Sequence, residues 1–451
     1  MEHRGHFGSR LGVILATAGS AVGLGNIWRF PFMTGQNGGA AFILLYLGCV
    51  FLLGIPGMIA EFVVGRHAGT NAARAYRKVA GRTPWGFTGY LGVFTSMIIL
   101  GFYAVVAGWC LQYLFVSFAG TLEGDATYVS DYFRSFSTNP WKPALWAVAF
   151  VVITHLVVVR GIRRGIERAS KLLMPLLFML LLIIVIASCS LSGAGKGIEF
   201  LLKPDFSKLS TDVMLEALGQ AFFSLSLGTA CLCTYSSYFS HRIKLARSAT
   251  QIALVDSFIA IMAGLMIFPA AFAVGVSPDS GPSLIFVTLP NVFQQAFSSV
   301  PVVGYLISVL FYFLLAMSAL TSTISMHEIG TAFFHEEFHI SRHSGAWVVT
   351  CACGLLAVFC SLSMGAVPSL QVMGSNLLDA CDKLTAQYLL PLGALLTCTM
   401  VGWYLPRKLV RHQLTNWGSL PRTSYHVFLF LVRFVCPLGI IAVFLRQLGI
   451  I

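Results

Sequence analysis

Charge is what this chain has least of. Only 10% of its 451 residues are Asp, Glu, Lys or Arg, where a soluble domain carries roughly a quarter. A soluble enzyme of this length is excluded on that ground. Acids are the scarcer sign, 17 against 29 Lys and Arg, which leaves a net charge of +12. No linker, low-complexity tract or soluble domain interrupts the sequence, and no small-residue cleavage site follows the first apolar run. The eleven cysteines contain no C-x-x-C pair. Cys231/Cys233 and Cys351/Cys353 stand two apart and face different sides of a helix, so they read as small buried hydrophobes.

What is abundant is apolar: 57% of the chain. Runs of about 17–25 apolar residues are long enough to cross hydrocarbon as helices. Eleven begin near Leu11, Ala40, Gly86, Pro143, Leu172, Val213, Ala249, Pro301, Ala346, Ser375 and Tyr425. The expectation is an all-α integral membrane protein of about eleven spans. Pro282 to Phe297 is shorter, edged by Pro and Ser, and reads as a re-entrant or surface hairpin.

The cations alternate along the chain. Arg66, Arg74, Arg77, Lys78 and Arg82 follow the second span. Arg160, Arg163, Arg164, Arg168 and Lys171 follow the fourth, Arg242, Lys244 and Arg247 the sixth, and Arg407, Lys408 and Arg411 the tenth. The intervening loops hold scattered cations, Arg134, Lys142 and Lys203, and the longest also carries Glu123, Asp125 and Asp131. This positive-inside pattern puts the N-terminus in the cytoplasm and the C-terminus outside a cell (inner) membrane. The lipid bilayer accounts for the basicity, and no nucleic-acid partner is called for.

The first span carries its own interruption. Ala18 to Phe32 contains Gly19, Gly23, Gly25, Asn26 and Arg29, which weaken a helix or are expensive in hydrocarbon. Broken helices are tolerated there only where the freed backbone lines a cavity or meets a ligand. The sixth span repeats the feature, with Ser224, Ser226 and Thr229 around Gly228. Two interruptions five spans apart are the signature of an inverted-repeat transporter with its site at the midplane. The implied repeats are about residues 11–185 and 211–403, with an extra helix at about 425–447, in a single transmembrane domain over 1–451. Further intramembrane polar groups are Glu61, Tyr103, Asp256 and the hydroxyl run Ser318 to Thr323. Asp256 reads as part of an ion or substrate path. Glu61 fits that role or one of stitching helices together.

With these residues in view, the chain resembles the bacterial eleven-span form of the neurotransmitter:sodium symporter family, whose leucine-transporting members are sodium-coupled amino-acid transporters. Ala21–Pro31 (AVGLGNIWRFP), Asn37–Phe42 (NGGAAF), Ser224–Gly228 (SLSLG) and Leu320–Ser322 (LTS) carry the resemblance in order. It implies a symporter that imports an L-amino acid by alternating access, not an enzyme. The substrate carboxylate would meet the Leu24 and Gly25 amides and Tyr103. The ammonium would meet carbonyls at Ala21, Phe223 and Ser224 and the Ser226 hydroxyl. Two Na+ ions are implied, the first at Ala21, Asn26, Ser224 and Asp256 with the substrate carboxylate. The second falls at Gly19, Val22, Ser318, Thr321 and Ser322. The outer gate would be Arg29 and Asp382 with Phe223 and Tyr103 as lid; the inner gate would be Arg4 and Glu336 near Tyr238 and Glu328.

The side-chain end of the pocket, Ile99, Phe223, Thr229, Ser322 and Met326, carries no charge, which implies a hydrophobic or aromatic substrate. Thr229 stands where a phenylalanine closes the pocket of a leucine-transporting relative. No chloride requirement is expected: Asp256 supplies a fixed negative charge amid Tyr46, Gln220 and Ser224, and Ala260 replaces the serine of chloride-dependent members. Phe7 stands for a common Trp and Glu328 for a common Gln. Two rivals stand beside this reading. One is a transport-inactive receptor or channel of the same fold. The other is a membrane zinc protease, because His335-Glu336-Glu337-Phe338-His339 matches H-E-x-x-H.

Overall fold

Backbone amides in hydrocarbon must be satisfied within their own segment, so apolar runs of this length fold as helices. The computed structural model describes residues 6–121, 126–275, 284–367, 369–372, 374–419, 423–447 and 449. Among the described residues eight helices are long and apolar enough to span a membrane, and up to ten if each of two bent pairs is one span. The first span is a bent pair, Arg10–Ala21 and Gly25–Gln36, turning by 56°. The second to fifth spans are Ala40–Ala68, Pro84–Phe118, Lys142–Val158 and Ile162–Cys189. The sixth is split into Thr211–Ser224 and Cys231–Ser236. Leu245–Ala273, Pro301–Glu337, Arg342–Leu362, Leu377–Tyr404 and Thr423–Gln447 are the seventh to eleventh. The sole sheet among the described residues is a two-residue hairpin, Gln371–Val372 with Ser375–Asn376.

The third, fourth, eighth and ninth spans pack on one another. Polar rivets join them: Thr154 to Thr323 at 2.9 Å, and His155 and His327 to the Thr350 hydroxyl at 2.8 and 2.9 Å. Against this block lie the broken spans. Both halves of the first touch the seventh, and the second span packs along the sixth.

Several boundaries differ from the sequence expectation. The fifth span starts at Ile162, well before Leu172, so Arg163, Arg164, Arg168 and Lys171 sit on helix rather than in a loop. Arg74, Arg77 and Lys78 belong to the helix Ala72–Ala80, and Arg407, Lys408 and Arg411 to Arg407–Leu414. Hydropathy marks where lipid begins, whereas the backbone stays helical beyond it with basic side chains reaching water. Arg66 is a sharper correction. It is buried at the end of the second span, donating to Gln413 Oε1 at 2.7 Å and to the Ile243 carbonyl at 2.5 Å. It is a staple between connections, not a loop charge.

The expected Pro282–Phe297 hairpin is a single helical segment, Leu284–Thr288 continuing as Leu289–Ala296; Pro282 lies outside the described residues. It packs Phe286 against Phe133 (5.6 Å, stacked) and Tyr113 (5.0 Å). Phe133 belongs to Ala126–Ser137, a helix in the connection between the third and fourth spans. Glu123 and Asp125 of that connection lie outside the described residues.

Candidate functional site

The break in the first span falls at Val22–Leu24, and the Gly23 amide is held by Asn26 Oδ1 at 3.1 Å. The break in the sixth runs through residues 225–230, with Ser226, Gly228 and Ala230 at positive φ. Gly228 is obligatory there, because a Cβ would stand 2.2 Å from the Leu390 carbonyl oxygen and φ is +82°. Glu61, on the second span, satisfies the backbone the break sets free. Its Oε1 accepts the Gly228 amide at 2.7 Å and its Oε2 the Cys233 amide at 3.3 Å. Of the two roles open to it, the structure gives Glu61 the stitching one. The signal was Gly57-x-x-x-Glu61-x-x-x-Gly65. Glycines flank the carboxylate on one face where the sixth span comes close, a Gly65 Cβ standing 2.0 Å from the Cys233 carbonyl oxygen.

The two breaks meet at a buried polar centre. Asn26 Nδ2 donates to Asp256 Oδ1 at 2.8 Å and to Ser224 Oγ at 3.2 Å. Ser224 Oγ donates to Asp256 Oδ2 at 2.6 Å, and Tyr46 OH to the same oxygen at 3.2 Å. Gln220 reaches instead toward the Gly25 carbonyl, at 3.5 Å. Ala21 is buried at the end of the first half-helix.

A second oxygen cluster joins the eighth span to the same break. Thr321 Oγ1 lies 3.2 Å from the Val22 carbonyl and 2.9 Å from that of Ser318, and Ser322 Oγ lies 3.4 Å from Val22 O. A Cβ on Gly19 would sit 3.4 Å from Thr321 Cβ, which places that residue on the same contact.

Above these centres, Tyr103 OH accepts the Leu24 amide at 3.0 Å. A Cβ on Gly23 would fall 2.5 Å from Ser322 Oγ and 3.1 Å from Tyr103 OH, so glycine is what lets these two hydroxyls close on the broken backbone. Leu24, Gly25, Tyr103 and Phe223 line a cavity of about 400 Å³ together with Asp379 and Asp382. Arg29 lines it too, its guanidinium 4.3 Å over the Phe223 ring. Among the described residues no ion pair joins Arg29 to Asp382, so the expected outer pair is not formed in this conformation.

Ser226 Oγ lies 3.3 Å from the Ser20 carbonyl, and Thr229 is held by its own hydroxyl on Ser226 O (2.7 Å) and by Ser96 Oγ on its carbonyl (2.6 Å). Ile99, one turn from Ser96, is buried. Met326 packs by Leu100, Val349 and Cys353.

At the opposite end Arg4 lies outside the described residues. Glu336 Oε2 accepts the Asn71 amide at 2.7 Å. Tyr238 OH donates to Glu328 at 2.7 Å, and Glu328 also pairs with Arg342, a partner the sequence reading missed. Phe7 sits edge-on to Tyr235 and Tyr238. The H-e-x-x-H residues are engaged otherwise. His335 Nδ1 bonds the Ile340 carbonyl (2.7 Å), and His339 lies past the helix end at φ +55°. The two imidazoles therefore do not share one helical face, and among the described residues no group of three metal-ligating side chains converges.

A helical bundle with two interrupted spans meeting at buried oxygen centres beside a cavity has the architecture of a membrane transporter. The model of the sodium:neurotransmitter symporter family matches residues 4–141 and 139–450. The chain belongs to that family and is a sodium-dependent transporter. YhdH of Bacillus subtilis strain 168, an uncharacterized sodium-dependent transporter, is 38% identical over 446 residues, covering 98% of this chain and 97% of the relative. An uncharacterized sodium-dependent transporter of Haemophilus influenzae is 32% identical over 471 residues, 99% of each chain. The crystal structure of MhsT in complex with L-phenylalanine aligns with a TM-score of 0.89 at 40% identity, covering 98% of this chain and 99% of that one.

Proposed function

We propose that the protein is a chloride-independent symporter that imports a hydrophobic or aromatic L-amino acid with two Na+ ions by alternating access. The observation that carries this reading is the Asn26–Ser224–Asp256 centre, buried where the two broken helices meet beside the Leu24 and Gly25 backbone. A carboxylate entering the cavity beside Leu24 and Gly25 would find Tyr103 OH and half-helix amides. Its oxygen then completes the first sodium shell with Ala21, Asn26, Ser224 and Asp256, which suits a hard cation. An entering ion replaces the Asn26–Asp256 contact, the amide turning its oxygen inward. The second ion takes Gly19, Val22, Ser318, Thr321 and Ser322.

Substrate and ion share ligands, so neither fills its place well alone, and that is the coupling. Arg29 and Asp382 close above the substrate, while Arg4, Glu336, Tyr238 and Glu328 part below. The repeats at about 11–185 and 211–403 move against each other, with the N-terminus in the cytoplasm and the C-terminus outside. Phe223 lines the cavity, and Ile99, Thr229 and Met326, none of them charged, would join it around the substrate side chain; the phenylalanine bound by MhsT supports an aromatic one.

Reconstituted liposomes loaded with potassium test this. An inward sodium gradient is expected to drive saturable accumulation of labelled L-tryptophan or L-leucine. Equal uptake with potassium outside, or displacement of label by glycine or lysine ahead of every large apolar amino acid, refutes the assignment. Uptake without accumulation marks a channel, and binding without uptake a receptor.

A further inference from the structure

The first half-helix is held at its far end by a carboxylate that belongs to neither sodium centre nor to the expected gates. Glu167 stands in the opening turns of the fifth span, with a side chain only 3% exposed. Its Oε2 accepts the Gly8 amide at 2.6 Å, and its Oε1 accepts the Ser9 hydroxyl at 2.9 Å. Lys171, one turn on, donates to Oε1 at 2.6 Å. Ser9 is also the N-cap of Arg10–Ala21, accepting the Gly12 amide at 3.0 Å. Helix starts leave amides unpaired and carry partial positive charge, so an anion there is stabilising.

The chain is cut to fit this group. A Cβ on Gly12 would stand 2.2–2.5 Å from three atoms of the Glu167 side chain. On Gly8 it would meet Arg163 Nε at 2.8 Å and Glu167 Oε2 at 3.4 Å. Glycines four residues apart thus cradle one carboxyl, with the capping serine between them.

Position gives the contact its weight. The half-helix hinges at Val22–Leu24, and Gly8 and Ser9 lie at the other end of the lever, about 18 Å away at 1.5 Å per residue. The same half-helix carries Gly19, Ala21 and Val22 to the ion centres, and it packs on the fifth, seventh and eighth spans. Access from the cytoplasm requires it to leave that packing.

We infer that Glu167 is a positioning residue of the transport cycle: it latches the first half-helix in the inward-closed arrangement, and its release from Gly8 and Ser9 is a step of inward opening. This rests on the alternating-access reading above.

The reporter is Ala16→Cys, since Ala16 is 2% exposed in a cluster with Tyr235, Tyr238 and Ile324. Inside-out vesicles in potassium are treated with a membrane-impermeant maleimide, and labelling of that one cysteine is followed by peptide mass spectrometry. Adding Glu167→Gln is expected to speed labelling roughly tenfold, because a charge-assisted acceptor becomes a neutral amide. Gly12→Ala, which displaces the carboxyl with the acid intact, is expected to do the same. Glu167→Asp retains the charge and brings the rate back toward the parent. Equal rates in parent, Glu167→Gln and Gly12→Ala overturn the inference. So does faster labelling with undiminished sodium-driven uptake of L-tryptophan. Gly12→Ala decides the matter if Glu167→Gln does not fold. If the parent protein neither binds nor carries any amino acid, the proposed function falls while the labelling comparison still judges the latch.

Discussion

Replacing Asp256 with asparagine isolates the charge at the ion centre from its shape. The carboxylate is fully buried, and its described partners Asn26, Ser224 and Tyr46 are all neutral donors. A sodium ion therefore faces an uncompensated negative charge. At about 4 Å and an effective dielectric near 20, that attraction is worth roughly 4 kcal/mol. The amide keeps one oxygen for the ion, so we take the net loss as about 2–3 kcal/mol, a factor of roughly 30–150 in affinity. Asp256→Asn should thus raise the half-saturating sodium concentration for L-tryptophan binding by about two orders of magnitude. With the amide oxygen toward Asn26, its NH2 faces Ser224 and Tyr46, whose hydroxyls can turn to accept, so the variant should elute as a folded monodisperse species. The measurement is scintillation-proximity binding to purified protein, with potassium replacing sodium at constant ionic strength. A shift below threefold would refute the reasoning, and so would a loss of maximal binding with no change in sodium dependence.

Uptake by the unaltered protein should be the same in sodium gluconate as in sodium chloride, and Asp256→Ser should make it chloride-dependent; a several-fold drop in gluconate for the parent contradicts this. Thr229→Phe should shift a competition series from tryptophan toward leucine and smaller side chains, since it fills the space a ring would take; an unchanged order of potency removes Thr229 from the pocket. Glu61→Ala removes the acceptor of the Gly228 amide, a loss of about 1–3 kcal/mol for a buried donor, and one contact of the Cys233 amide. It should lower the thermal midpoint in detergent by several degrees, and a midpoint within 1 degree (roughly the resolution of such scans) speaks against the stitching role.

The two interruptions were readable because glycine, asparagine and serine at mid-span contradict hydrocarbon so strongly that a few residues suffice. Asp256 was legible for the same reason. What stayed hidden depends on partners distant in sequence. Glu61 acquires its role only when the Gly228 and Cys233 amides come to face it, and Glu167 only when Gly8 and Gly12 turn toward the fifth span. Arg66 looked like one more loop cation, since composition cannot report that Gln413 and Ile243 fold around it. The helical basic connections were missed because hydropathy reports depth in lipid, while helicity follows hydrogen bonding on both sides of that boundary.

The resting place of Arg29 bears on how finely the outer side is balanced. Over the Phe223 ring the guanidinium enjoys an attraction of about 0.5–2 kcal/mol. A partly exposed pairing with Asp382 is worth a similar 0–1 kcal/mol. If Arg29 and Asp382 form the proposed outer gate, exchanging one contact for the other changes the energy by no more than about 2 kcal/mol, so this contact by itself holds neither the open nor the closed outer face strongly. A ligand seated at Phe223 needs to add only about 1.4 kcal/mol of preference to shift their ratio tenfold. On that gating the ring is a counterweight: it would keep the arginine from standing as a bare charge in the entry route, and let a modest binding energy decide which way the door swings.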